Sequence, residues 1–238
     1  ERLFIMKTIR WGIAGPGNIA NKFAKDIKFD EFYEKHKYFY KECIKEREKM
    51  VRTEENDLFL FMKDFYGFTP NDENYKINIL LHQASGSNGI SHNDIFYCHN
   101  GDYLVVPDNP TKEQRLSWMA SLLHEFSHPI INPLTDKEVL SCVDVPSYKE
   151  TSMDECYTGV NTYVNESIIR AIQAYFLEKE MGKKLVNARK RHKERGFVLV
   201  DKLVDMLHEI ERDNFDCIEK KYLRLLDVLK TENYEIKE

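Results

Sequence analysis

His124-Glu125-Phe126-Ser127-His128 places two imidazoles four positions apart, with a carboxyl beside the first. On an α-helix, four residues amount to about 400° of rotation and ~6 Å of rise, so both rings leave the same face. Imidazoles so placed can hold one Zn2+ at about 2.0–2.1 Å each. Glu125 stands about 100° around the helix from His124, clear of a ligand position and within reach of a water on the metal. The chemistry this pattern serves is hydrolysis by metal-activated water, with Glu125 as general base and then as proton donor to the leaving group. Trp118, Met119, Ala120, Leu122, Leu123 and Phe126 frame the motif, which predicts a buried helix. Two histidines and a glutamate in such a frame carry a desolvation cost that a metal would offset.

A catalytic zinc site takes three protein ligands and leaves one position open. The continuation HExxHxxGxxH is absent, because positions 131 and 134 are Ile131 and Leu134. Glu166, in the stretch Asn165-Glu166-Ser167-Ile168-Ile169-Arg170, is the candidate third ligand on a later helix. Arg170, four residues on and therefore on the same face, would hold that carboxylate in its charged, ligating form. A plain surface Glu–Arg pair is the competing reading, and Asp144, Asp154 and Glu155 are rival ligands. Tyr157 and Tyr163 are candidate hydrogen-bond donors to a developing oxyanion. With 13 tyrosines in the chain, packing is the competing role for each. His82, His92 and His99 are further histidines that could approach the cleft from a neighbouring sheet.

The elements that must position these groups follow from periodicity and punctuation. Apolar and aromatic residues recur at helical intervals over 21–49, and again over 54–66, where Gly67 and Pro70 mark a stop. From residue 75 the pattern turns strand-like at 77–81, and 95–99 faces 103–106 across Asn100-Gly101. An Asn-Gly pair between short apolar runs is a hairpin signal, so a small antiparallel sheet is expected. Thr111 and Glu113 open the motif helix. Pro129 directly follows His128, and because a residue before proline is pushed away from helical dihedrals, His128 is expected to be the last helical residue. A proline-marked connection over 132–156 leads to a helix over 159–181, and two more helices are expected over 183–229. The expected fold is α+β: a small antiparallel sheet packed on the HExxH helix, with flanking helices, forming a single domain over 26–238.

These residues carry a resemblance. HEFSH on a helix, preceded by a small sheet and followed by a helix containing Asn165-Glu166, resembles the gluzincin branch of the zincin metallopeptidases. It is similar in particular to bacterial domains with HEF-type zinc motifs, over about residues 75–181. The resemblance implies a zincin-like fold, a peptidase activity on peptide or protein substrates, zinc held by His124, His128 and Glu166, and Glu125 as the base. It also implies a sheet edge that pairs with extended substrate, a task that 103–106 or 77–81 could serve.

A second stretch points elsewhere. Gly15-Pro16-Gly17-Asn18-Ile19-Ala20 reads as a phosphate-cradling turn between strand and helix. Residues 9–28, IRWGIAGPGNIANKFAKDIK, resemble the N-terminus of the glucose–fructose oxidoreductase family, which would imply NAD(P). The position about 20 residues past Gly17 falls in EKHKYFYKE, helical in pattern where a strand ending in an acid is required. No further βαβ alternation follows, and none of the seven prolines follows a lysine, so that family's Glu-Lys-Pro triplet is missing. Residues 1–25 are accordingly expected to be a strand–turn–helix appendage.

Composition narrows the rest. A net charge of -5 with interleaved acidic and basic residues gives no electrostatic footprint for nucleic acid. Five cysteines, Cys43, Cys98, Cys142, Cys156 and Cys217, are an odd number without a CxxC pair, which predicts free thiols and no cysteine metal site. No signal-peptide core and no window approaching 18 apolar residues is present, so a soluble, cytoplasmic chain without a membrane partner is expected. The reading is a zinc-dependent peptidase. Its alternatives are a non-catalytic interaction domain with a structural metal or none and, last, an NAD(P)-binding oxidoreductase.

Overall fold

The computed structural model of the chain describes residues 29–51, 57–67, 75–79, 87–100, 109–138, 159–182, 187–212 and 217–235. These form α1 (Phe29–Val51), α2 (Leu58–Tyr66), β1 (Tyr75–Ile79), β2 (Ser87–His92), β3 (Ile95–Asn100), α3 (Lys112–Thr135), α4 (Val160–Met181), α5 (Ala188–Glu194), α6 (Val200–Arg212) and α7 (Ile218–Glu235). The class is α+β, mostly helical with one small sheet. The glycine turn at 15–20 and the expected appendage at 1–25 lie outside the described residues. Lys37, 20 residues past Gly17, is in α1, so helix stands where a second Rossmann strand would be needed.

The sheet differs from the expected one. Its order is β1-β3-β2, with β2 antiparallel and β1 parallel to β3, so it is mixed. The β2–β3 hairpin turns at Asn93-Asp94, with φ of 50° and 59°. Asn and Asp tolerate left-handed backbone almost as glycine does, and two such residues in succession make the tight turn that matches strand twist. Residues 103–106, the expected partner strand, lie outside the described residues.

The motif helix α3 is opened by a reciprocal cap. Thr111 Oγ1 accepts from Gln114 N at 3.2 Å, and Thr111 N donates to Gln114 Oε1 at 2.8 Å. The helix does not end at His128 but runs through Pro129 and Pro133 to Thr135. The local bias against helix before a proline is overridden by burial of this segment, in which Ile131 and Thr135 are both inaccessible. Pro129 has no N–H to give to the Glu125 carbonyl four residues back. That carbonyl lies against β2 at Gly89, where a Cβ would stand 2.3 Å from the oxygen.

Both intervening positions of the motif are anchors. Phe126 is fully buried and packs edge-on to Tyr75 of β1 at 5.0 Å between ring centroids, and Tyr75 stacks on Phe96 of β3 at 5.1 Å. Ser127 Oγ donates to the Leu123 carbonyl at 2.5 Å and bonds the Tyr66 hydroxyl of α2 at 2.5 Å.

Helix α4 packs along α3, its register set by polar bonds. Thr135 donates to Asn165 Oδ1, Tyr222 of α7 donates to Thr135 Oγ1 at 3.0 Å, and Asn161 Nδ2 donates to Asp136 Oδ1 at 3.2 Å. After α4, three helices stand among the described residues where two were expected. Buried Glu178 of α4 ties them together: Arg189 of α5 reaches it through Nε and through Nη2 at 2.7 Å, and His208 Nε2 of α6 through 3.0 Å. Arg189 also donates to Asp205 Oδ1 at 2.8 Å. Cys98 and Cys217 are free thiols, and no helix among the described residues is long and apolar enough to cross a membrane.

Two consequences are measurable. Gly89 does not have positive φ, so Gly89→Ala acts through the clash alone; it should destabilise the protein by about 1–3 kcal/mol, seen as a lower urea midpoint at unchanged slope. Burial opposes ionisation of Glu178, but Arg189 and His208 outweigh it and hold the carboxyl below its usual range. A carboxyl depressed on folding stabilises above its unfolded pKa, and the contribution disappears as pH falls through the folded value. Glu178→Gln should therefore cost about 3 kcal/mol near neutrality, and much less at a pH below both values, in a stability-versus-pH series.

Candidate metal centre

His124 and His128 leave one face of α3 toward Glu166 on α4. His124 Nε2 lies 3.5 Å from Glu166 Oε2, and His128 Nε2 lies 3.4 Å from Glu166 Oε1. The three ligand atoms fall within 4.8 Å of one another, and the cluster is buried or nearly so. Ligand atoms at about 2.0–2.1 Å from a tetrahedral centre are about 3.3–3.4 Å apart. The side chains thus stand at the spacing of a coordination sphere.

Ring orientation sharpens the point. His128 Nδ1 lies 3.3 Å from Asn132 Oδ1, an oxygen that accepts, and this contact turns Nε2 toward a carboxylate oxygen of Glu166. His124 has its pKa pushed well below the ordinary imidazole value by burial first, then by the charge of Arg170 and by its neighbours His128, His192 and Arg195. Neutral imidazole is the form that ligates. The donor set of two nitrogens and one carboxylate oxygen fits a divalent ion such as zinc. This buried trio is the group among the described residues that could hold a metal.

The supporting residues are equally placed. Arg170 Nη2 lies 2.8 Å from Glu166 Oε2, as the four-residue spacing on one helix predicts, and both side chains are buried. The Arg170 guanidinium rests on the Phe197 ring at 4.4 Å from its centroid. Phe197 stacks in turn on Tyr163, at 6.1 Å between centroids and 13° between planes. Tyr163 is fully buried, and burial pushes its phenol up to about 12. It stands beneath the platform that carries Arg170. Glu125 is buried too. Cys98 of β3, paired with Gly89 in the sheet, is kept as a thiol by burial and by the charge of Glu125.

Of the remaining sequence candidates, Tyr157, Asp144, Asp154, Glu155 and His82 lie outside the described residues. His92 is exposed at the end of β2, and His99 pairs with Asn88 in the ladder. Sequence reasoning missed Asn132, whose spacing of four from His128 is the same signal that marks Glu166–Arg170. Ending the helix at Pro129 hid it. Phe197, His192 and Arg195 carry no local signal, since tertiary packing alone brings them here.

Residues 17–228 match the model of a family described as a domain of unknown function, DUF4932, and the chain belongs to that family. Neither a curated protein nor a solved structure matches the chain.

Since Arg170 orients a ligand without being one, Arg170→Met should lower affinity for zinc about 10- to 100-fold, whereas Glu166→Ala should remove a whole ligand and bind more weakly still. Competition against a chromophoric chelator reads both.

Proposed function

We propose that this protein is a zinc-dependent metallopeptidase of zincin type. The observation that carries the reading is that His124 Nε2 and His128 Nε2 stand 3.5 and 3.4 Å from the two oxygens of Glu166, all three ligand atoms within 4.8 Å of one another, with Glu125 next to the first ligand on the same helix. Zinc in this site would supply a Lewis acid and a water acidified toward neutral pH.

The chain's own residues do the rest. His124 and His128 present their ring nitrogens, and Asn132 fixes the ring of the second. Arg170 grips the Glu166 carboxylate and aims it. Glu125, about 100° from His124 around α3, takes a proton from the attacking water and returns it to the leaving amine. β2 crosses α3 at Glu125 and is an edge of the sheet among the described residues, so it is the strand placed to pair with extended substrate. A purely structural zinc would need a fourth protein ligand, and the described residues bring three.

Glu125→Gln separates catalysis from metal binding. It should keep about one zinc per chain by elemental analysis while hydrolysis of a fluorogenic peptide mixture falls at least ~100-fold. Chelation should abolish wild-type activity and zinc should restore it. Undiminished hydrolysis by Glu125→Gln would defeat the mechanism.

A further inference from the structure

Helix α1 contributes no ligand to the metal centre, and the proposed mechanism does not use it. It packs against α3. Its half-buried members Tyr33 and Lys37 are four apart and share one face. A second face carries Phe32, His36 and Phe39, at intervals of four and three residues. That spacing lines three rings along one stripe, the pattern of a helix seam that meets another helix.

The stripe is open to solvent. Phe32 is 42% exposed and Phe39 51%, and His36 is exposed between them. The rings are already ordered: His36 stacks on Phe32 at 4.2 Å between centroids and 30° between planes, and His36 Nδ1 lies 2.7 Å from the Phe32 carbonyl. Side chains fixed beforehand lose less freedom on association. The helix that carries them has 23 residues and is ~34 Å long, enough for three heptads.

The charges beside the stripe decide what covers it. Lys35 and Glu42 stand seven residues apart on one flank, both exposed and opposite in sign. Glu42 has only a loose partner in Lys45 at 3.9 Å, and its side chain stays 67% exposed. A membrane surface or a nucleic acid would call for one sign along this flank. Opposite signs one heptad apart fit a second copy of the same helix. With two copies antiparallel about a two-fold axis beside positions 37 and 38, His36 of each faces Phe39 of the other. Lys35 of each then meets Glu42 of the other, because flanking residues pair across such a seam. The surface is thus self-complementary, as a two-fold interface requires.

We propose that α1 is a self-association surface through which two copies of the chain form an antiparallel two-fold dimer. One helix from each copy is a small interface, so association in the micromolar range is expected.

Sedimentation equilibrium of the full chain tests this, with charge reversals that cost little helix propensity. The wild-type chain should dimerise reversibly, and more weakly at high salt. Lys35→Glu alone, or Glu42→Lys alone, puts two like-charge pairs into every dimer and should weaken association about tenfold or more. An equimolar mixture of the two single variants restores both opposite-charge pairs, so it should associate about as tightly as the wild type. The double variant Lys35→Glu/Glu42→Lys should do the same. A wild-type chain that stays monomeric at ~100 µM, single reversals that leave the dimer intact, or a mixture that fails to associate overturns the proposal.

Discussion

Two imidazole nitrogens and a carboxylate, each able to give a lone pair to one cation, are held together in a buried space. Everything else near the site works to sustain that arrangement. Asn132 bonds Nδ1 of His128 and turns its other nitrogen inward. Arg170 grips the Glu166 carboxylate away from water, and Phe197 supplies the face on which that guanidinium can be buried. Burying a charged pair is costly on its own. A buried cluster of this kind is intelligible when its net effect is to favour a cation.

The prolines of α3 belong to the same logic. In an isolated helix Pro129 would weaken the turn that carries His128, through a lost hydrogen bond and a clash with the carbonyl at Glu125. Here that carbonyl lies against β2, and glycine at position 89 lets the strand come within the space a methyl would fill. The defect in the helix and the absent side chain in the strand are complementary. Together they press a sheet edge onto the residue proposed as the base. Phe126 and Ser127 hold the other two sides, toward the β1–β3 aromatic pair and toward α2.

Much of the centre was legible because helices convert spacing into direction. His124, His128, Glu166 and Arg170 follow from the rule that residues four apart share a face, and nothing about the tertiary fold is needed to see it. The same rule would have delivered Asn132, but the dihedral bias before proline argued for a helix end, and a local preference gave way to packing on both sides of the segment. The sheet misled for a related reason. The turn at Asn93-Asp94 was passed over for the glycine-bearing pair that follows β3, and the parallel partner of β3 is set by long-range pairing that no window of residues contains. His192 and Arg195 were invisible because their relation to the site passes through Phe197, about 30 residues beyond Glu166.

What places Glu166 opposite the histidines is polar rather than apolar. The face of α4 is buried almost throughout, so hydrophobic contact alone would tolerate a slide along α3. A shift of one residue would move Glu166 by about 1.5 Å along the helix and about 100° around it, out of reach of both imidazoles. Asn165–Thr135 and Asn161–Asp136 bond the neighbours of Glu166 to the end of α3, and Tyr222 of α7 closes on the same threonine. Directional bonds of this sort discriminate between registers that area burial cannot. The long continuation of α3 past His128 therefore has a function in the fold: it carries Thr135 and positions Asp136, the groups that set the helix bearing the third ligand.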